Sequence, residues 1–132
     1  MNNDNPAKSY GLLACGHRGS WDISLLQPLG SHATPYFLEL DSGDAYLIFQ
    51  LDRLDLLRDS LVLLESPVVA AGGKALRMGV FNDLPMELVR DSEFADRCTL
   101  RISDANCPLI ITISGSAFSD FLAALRQLIA EM

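Results

Sequence analysis

The apolar residues of this chain change period twice, and each change follows closely spaced extended runs. Tyr36, Leu38 and Leu40 alternate with Phe37, Glu39 and Asp41, and the polar DSGD leads into a second run, AYLIFQL. Alternation sorts side chains onto two sides of a strand, and turn chemistry between two such runs predicts a hairpin. From Asp52 the spacing becomes three and four. Leu54, Leu57, Leu61 and Leu64 make one stripe of an amphipathic helix, flanked by Arg53, Asp55, Arg58 and Asp59. Asp52 is expected to cap that helix and Asp55 to sit near its positive end. Pro67 and the Gly72–Gly73 pair end it.

The same change recurs at Ser116. CTLRI places Cys98, Leu100 and Ile102 on one side of a strand, SDAN is a turn, and PLIITI reads as a buried strand. SGS then leads into a helix whose Phe118, Phe121, Leu122, Leu125, Leu128 and Ile129 form a broad apolar face. Earlier in each half the signal is weaker. Trp21, Ile23 and Leu25 alternate after the turn GHRGS, and ALRMGVF, the turn NDLP and MELVR provide two strands before Cys98. In MELVR, Met86, Leu88 and Arg90 share one side.

Superposed at offsets of about 62 to 64 residues, the halves match strand for strand, with Asp52 meeting Ser116 and the four leucines meeting Phe118, Phe121, Leu125 and Leu128. The expected fold is α+β: two pseudo-repeated ββββα units, antiparallel sheets packed with two helices. Residues 1–10 are expected to be a disordered arm, 11–132 a single domain built from repeats 11–66 and 74–131, and 67–73 a linker. One such unit buries a single sheet face, and pairing two gives both helical stripes a place to pack.

A chain of 132 residues that is 49% hydrophobic and 20% charged is sized for one globular core. Its apolar runs fall short of the ~20 residues a membrane helix needs, so no membrane partner is expected. The N-terminal MNNDNPAKSYG has neither the basic patch nor the apolar stretch of a secretory signal, which makes the cytoplasm the default location. Three cysteines, Cys15, Cys98 and Cys107, fit reduced thiols in that compartment, although Cys98 and Cys107 flank a hairpin turn and could face each other.

No catalytic constellation emerges. The two histidines, His17 and His32, fall in predicted turns, and Cys15 with His17 has no orienting acid beyond Asp22. Those residues also lack the spaced ligand pairs of a zinc site. DSGD is too short a ladder for calcium, and GHRGS and AAGGKAL fall short of phosphate-binding loops. Neither metal nor cofactor is expected, and the chain is read as no enzyme.

Ten Lys and Arg against seventeen Asp and Glu give a formal net charge of −7. That field works against long-range attraction of polyanions and favours a basic partner. The expected function is a protein-protein interaction module, of the adaptor, secretion-type chaperone or immunity-like inhibitor kind. Phe37, Glu39, Asp41 and Phe49 would form its mixed apolar and acidic sheet surface. A homodimer is expected as well, because the Phe118 to Ile129 face spans a wide arc.

Four strands and a helix, twice over, resembles the arrangement of the Whirly and Pur-alpha groups of single-stranded nucleic-acid-binding proteins. The resemblance lies in topology over residues 11 to 130 and carries no residue motif. It implies an alternative in which Trp21 and Tyr46 stack bases while Lys74, Arg77 and Arg101 meet phosphates.

Overall fold

A computed structural model describes residues 10–29, 35–66, 74–91, 93–102 and 109–132. The expected linker, most of the N-terminal arm, His32, Cys107 and the SDAN turn lie outside the described residues. Eight strands form one antiparallel sheet in chain order: β1 (Tyr10–Arg18), β2 (Trp21–Pro28), β3 (Tyr36–Asp41), β4 (Tyr46–Leu51), β5 (Lys74–Phe81), β6 (Leu84–Arg90), β7 (Arg97–Ile102) and β8 (Leu109–Ser114). Helix α1 (Leu56–Glu65) follows β4 and α2 (Gly115–Glu131) follows β8. The α+β class with two helices is therefore the observed one, but the expected antiparallel sheets are a single sheet, because β4 pairs with β5 and joins the two halves.

The turns account for the tight meander. Gly19 takes a φ of 58° in the two-residue β1–β2 connection, and Asn82 and Asp83, with φ of 49° and 66°, make the β5–β6 turn. Two consecutive left-handed residues match the twist of a hairpin, and Asn and Asp are the non-glycine residues that tolerate them best. In the β3–β4 turn the Gly43 amide donates to Asp41 Oδ1 (2.8 Å) and Ser42 N–H donates to the Ala45 carbonyl (2.9 Å). The expected turns GHRGS and NDLP are narrower than their motifs: His17 and Arg18 end β1, while Leu84 and Pro85 begin β6.

One side of the sheet is the core. Ile23 and Leu25 of β2, Leu38 and Leu40 of β3, Leu47, Phe49 and Leu51 of β4, Met86 and Leu88 of β6, and Cys98, Leu100 and Ile102 of β7 all point there. Both helices pack on that inner face. The α1 stripe is Leu56, Leu57, Ser60 and Leu64, with Leu54 and Leu61 half-buried; that of α2 is Phe118, Phe121, Ala124, Leu125 and Leu128. Burying each large apolar side chain contributes about 1.5–3 kcal/mol. Helix α2 lies mainly over β1 and β2, and α1 approaches β5 and β6. Gly16 makes the first of these contacts possible, since a Cβ there would stand 1.8 Å from the Ala124 carbonyl oxygen.

Several expectations need correction. Asp52 does not cap α1: its amide donates to the Met78 carbonyl (3.0 Å) and its carboxylate accepts from Arg77 Nε (3.1 Å), which ties the end of β4 to β5. The helix instead starts through a tight turn in which the Leu56 and Leu57 amides donate to the Arg53 and Leu54 carbonyls. Nor does Ser116 cap α2, which begins at Gly115, whose φ of 61° turns the chain out of β8. Of the run expected to be buried, Ile113 faces the core at 2% exposed, whereas Ile110 is 61% exposed on the side that no helix covers.

Arg90 is the one charged residue of the core among the described residues. Its Nη1 donates to the Ala95 carbonyl (2.7 Å) and its Nη2 to the Ser66 carbonyl (2.8 Å) at the end of α1. The guanidinium carbon sits 5.7 Å from the Phe118 ring centre. The alternation that places Met86 and Leu88 inward carries Arg90 with them, and carbonyls at the end of α1 and in the β6–β7 connection receive two of its donors, while Nε has no partner among the described residues.

Candidate functional site: the outer face of the sheet

Pairing across an antiparallel ladder sets which residues share a face, because directly opposed side chains lie on one side. On the side away from the helices three rows cross the first half. His17, Asp22, Asp41 and Tyr46 are opposed in turn from β1 to β4. The next row is Cys15, Ser24, Glu39 and Ile48. The third continues into the second half as Leu12, Leu26, Phe37, Gln50, Val80 and Pro85. Tyr10 joins it through an edge-on contact with Phe37, ring centres 5.1 Å apart. An acidic end thus adjoins an apolar band.

Phe37, Glu39 and Asp41 of the expected protein-binding surface stand on this face, each half-buried. Phe49 does not. It opposes Leu38 on the inner side and is 2% exposed, so Ile48 and Tyr46 take the outer positions of β4. Tyr46 is 57% exposed and donates its hydroxyl to the Glu39 carboxylate. That hydrogen bond, followed by burial and by the charges of Glu39 and Asp41, pushes the phenol up to about 12.

The alternative surface is divided. Trp21 is a core residue, 5% exposed and packed edge-on against Phe121 with ring centres 5.0 Å apart, so it cannot stack on a base. Lys74 opens β5, and its side chain lies outside the described residues. Arg77 and Arg101 do share the outer face with Tyr46, as both oppose Glu87. Each is already engaged, Arg77 Nε with Asp52 (3.1 Å) and Arg101 Nε with Glu87 (3.1 Å). Arg97, also outward, pairs with Asp91 (3.5 Å) and covers the Phe94 ring at 4.0 Å. Backbone amides of Glu93 and Phe94, followed by Arg97, hold the Asp91 carboxyl below its ordinary value.

Cys15 and His17 do not form a reactive pair in this geometry. Both stand on the edge strand β1: the Cys15 thiol lies 3.9 Å from Glu131, and His17 Nδ1 contacts Asp22, with both partners of that contact well exposed. Cys98 is fully buried, and burial pushes its thiol up to about 12. Among the described residues no group of three His, Cys, Asp or Glu is placed to hold a metal ion. No helix among them is long and apolar enough to cross a membrane.

A feature that no sequence pattern foreshadows opens between β4 and β5. Their ladder consists of Gln50 opposite Val80 and Leu51 opposite Gly79, after which the strands part. Gly79 permits the close approach, since a Cβ there would stand 1.8 Å from the Gln50 carbonyl oxygen. Beyond it lies a cleft of about 410 Å³ lined by Phe37, Ile48, Phe49, Gln50, Val80, Phe81, Asn82 and Asp83. Counting outward from the DSGD turn sets Phe37 opposite Ile48, whereas the ladder closes at Asp41 and Tyr46 and brings Phe37 opposite Gln50. Nothing local announces where a ladder stops. Comparison with protein-family models, curated proteins and solved structures gave no match.

Proposed function

We propose that the chain is a non-catalytic protein-recognition module whose partner docks on the outer face of β1 to β4. One observation carries the reading: Asp22 and Asp41 are directly opposed on neighbouring strands, with Glu39 in the adjoining row. Like charges directly opposed destabilise a sheet. His17 beside Asp22 and the Gly43 amide on Asp41 offset this only in part, and a cationic partner surface would relieve the rest. The adjoining band of Leu12, Phe37 and Ile48 supplies apolar area that no helix covers. A basic protein is the proposed client, in a reducing, cytoplasmic setting.

The doubled ββββα architecture belongs to the same proposal. It is supported by the two-residue turns Gly19–Ser20 and Asn82–Asp83 and the close-approach glycines Gly16 and Gly79, both at an offset of 63, and by the packing of each helix over strands of the other half. The resemblance to Whirly and Pur-alpha topology remains part of the proposal and rests on the order of strands and helices alone. Single-stranded nucleic acid is the second reading, favoured because Tyr46, Arg77 and Arg101 share a face. Their acidic partners and the burial of Trp21 make it the weaker of the two.

A photo-crosslinking side chain at Phe37, compared with one at the exposed Val62 of α1, tests the proposal in the cell of origin. Protein adducts are expected from position 37 and lost when Asp22→Lys and Asp41→Lys are added. Adducts to nucleic acid, strengthened by those charge reversals, would replace the first reading with the second.

A further inference from the structure

The cleft between β4 and β5 has a shape and chemistry of its own within that surface. Its walls are apolar at Phe37, Ile48, Val80 and Phe81, and its mouth carries Gln50, Asn82 and Asp83, with Glu39 directly across the ladder from Ile48. No lining residue is cationic. Strand phase adds a second set of acceptors. The Asp52 amide bonds to Met78, and Gln50, in phase with it, opposes Val80. Continuing that phase, the main-chain groups of Ile48 face the gap where β5 has turned away. A cleft with aromatic walls, a carboxylate at its rim and the Ile48 carbonyl along one edge suits a flat cation with several donors.

We infer that this cleft is the anchoring pocket for an arginine side chain presented by the basic protein partner. The inference rests on the protein-recognition reading and sharpens it. A guanidinium can lie against an aromatic ring, keep its methylene stem on Ile48 and Val80, and direct its donors to Asp83, Gln50 and the β4 edge. An ammonium has no plane to stack and holds its hydration more tightly, so lysine fits less well. The volume of about 410 Å³ is within the usual range for a pocket that receives a small group, with room for adjoining partner backbone. Charge complementarity selects the occupant: the outer carboxylates of Asp22, Asp41 and Glu39 attract the basic segment, and the cleft reads one residue of it.

The test is an amide NMR titration of the whole chain with three short peptides, identical except for a central arginine, lysine or citrulline. Shifts centred on Ile48, Gln50, Val80 and Asn82 are expected with the arginine peptide, and binding about fivefold weaker with citrulline, which keeps the shape and loses the charge. Asp83→Asn preserves a residue suited to the left-handed turn and should weaken the arginine peptide by about threefold. Equal affinity for arginine and citrulline, or shifts confined to the Asp22 and Asp41 row, would overturn the pocket. In the second case the protein-recognition reading survives. Loss of crosslinking at Phe37 after the charge reversals, with no change from Asp83→Asn, would likewise overturn the pocket and leave that reading standing, by an independent route.

Discussion

Phe49 and Phe37 belong to the same hairpin and have opposite surroundings. Phe49 faces Leu38 beneath the helices and is 2% exposed, whereas Phe37 faces Gln50 on the side no helix covers. Chemistry does not separate them; parity does. The inner face closes on itself, with apolar side chains in contact with both helices, and the outer face places carboxylates beside an apolar band. The difference teaches that the sheet's inner side determines whether the chain folds, while the proposed recognition falls to its outer side. Substitutions should therefore divide cleanly, with inner changes read in stability and outer ones in binding.

The largest effect is expected at Phe121, which packs on Trp21 inside. Phe121→Ala should cost about 3–5 kcal/mol in denaturant unfolding, the range for emptying an aromatic site in a core. Phe37→Ala should cost about 1 kcal/mol and weaken partner capture. Comparable losses of stability at both positions would mean that the outer face is itself covered in the folded chain.

Arg90 sharpens the contrast, because a charge stands on the apolar side. Arg90→Ala should destabilise by about 3 kcal/mol, since the Ser66 and Ala95 carbonyls lose their donors and a gap opens under Phe118. Arg101→Ala, outside and paired with Glu87, should cost within about 1 kcal/mol. Gly16→Ala extends the same comparison to the backbone. Its methyl would meet the Ala124 carbonyl of α2, and moving the helix should cost about 2–3 kcal/mol, measured as a lowered unfolding midpoint.

These positions also mark how far the sequence can be read. The change of period locates both helices to within a few residues, and Leu38, Leu40, Cys98, Leu100 and Ile102 are legible as inner residues because alternation is local. Cap positions are not, since Asp52 has a stronger use as the partner of Arg77, a residue 25 positions away. Phe49 falls on the opposite side from the one expected because a sheet face is a property of register, and register is set by the number of residues in the DSGD turn. Trp21 reads as available for stacking only while α2, which arrives from the other end of the chain to cover it, is left out of account. The cleft is invisible for a related reason: it exists where two distant strands stop pairing.

The smallest effect tests the outer face without any partner. Tyr46 is held near 12 chiefly because its hydroxyl donates to Glu39, with the charges of Glu39 and Asp41 opposing a phenolate. Glu39→Gln removes the charged acceptor, so the Tyr46 phenol should titrate closer to its ordinary value of 10.0, followed by phenolate absorbance in a chain whose other tyrosines are replaced by Phe. The sign for stability follows from the proton balance. The folded chain holds this proton more tightly than the unfolded one, so stability is unaffected below about pH 10 and declines as pH rises from there towards 12. Tyr46 is largely exposed, so solvent screening keeps that decline small. Asp41→Asn should shift the phenol less than Glu39→Gln does. An equal shift from both would show that the acidic row acts on Tyr46 as a diffuse field rather than through one hydrogen bond, and the ordered array offered to a cationic partner would lose its support.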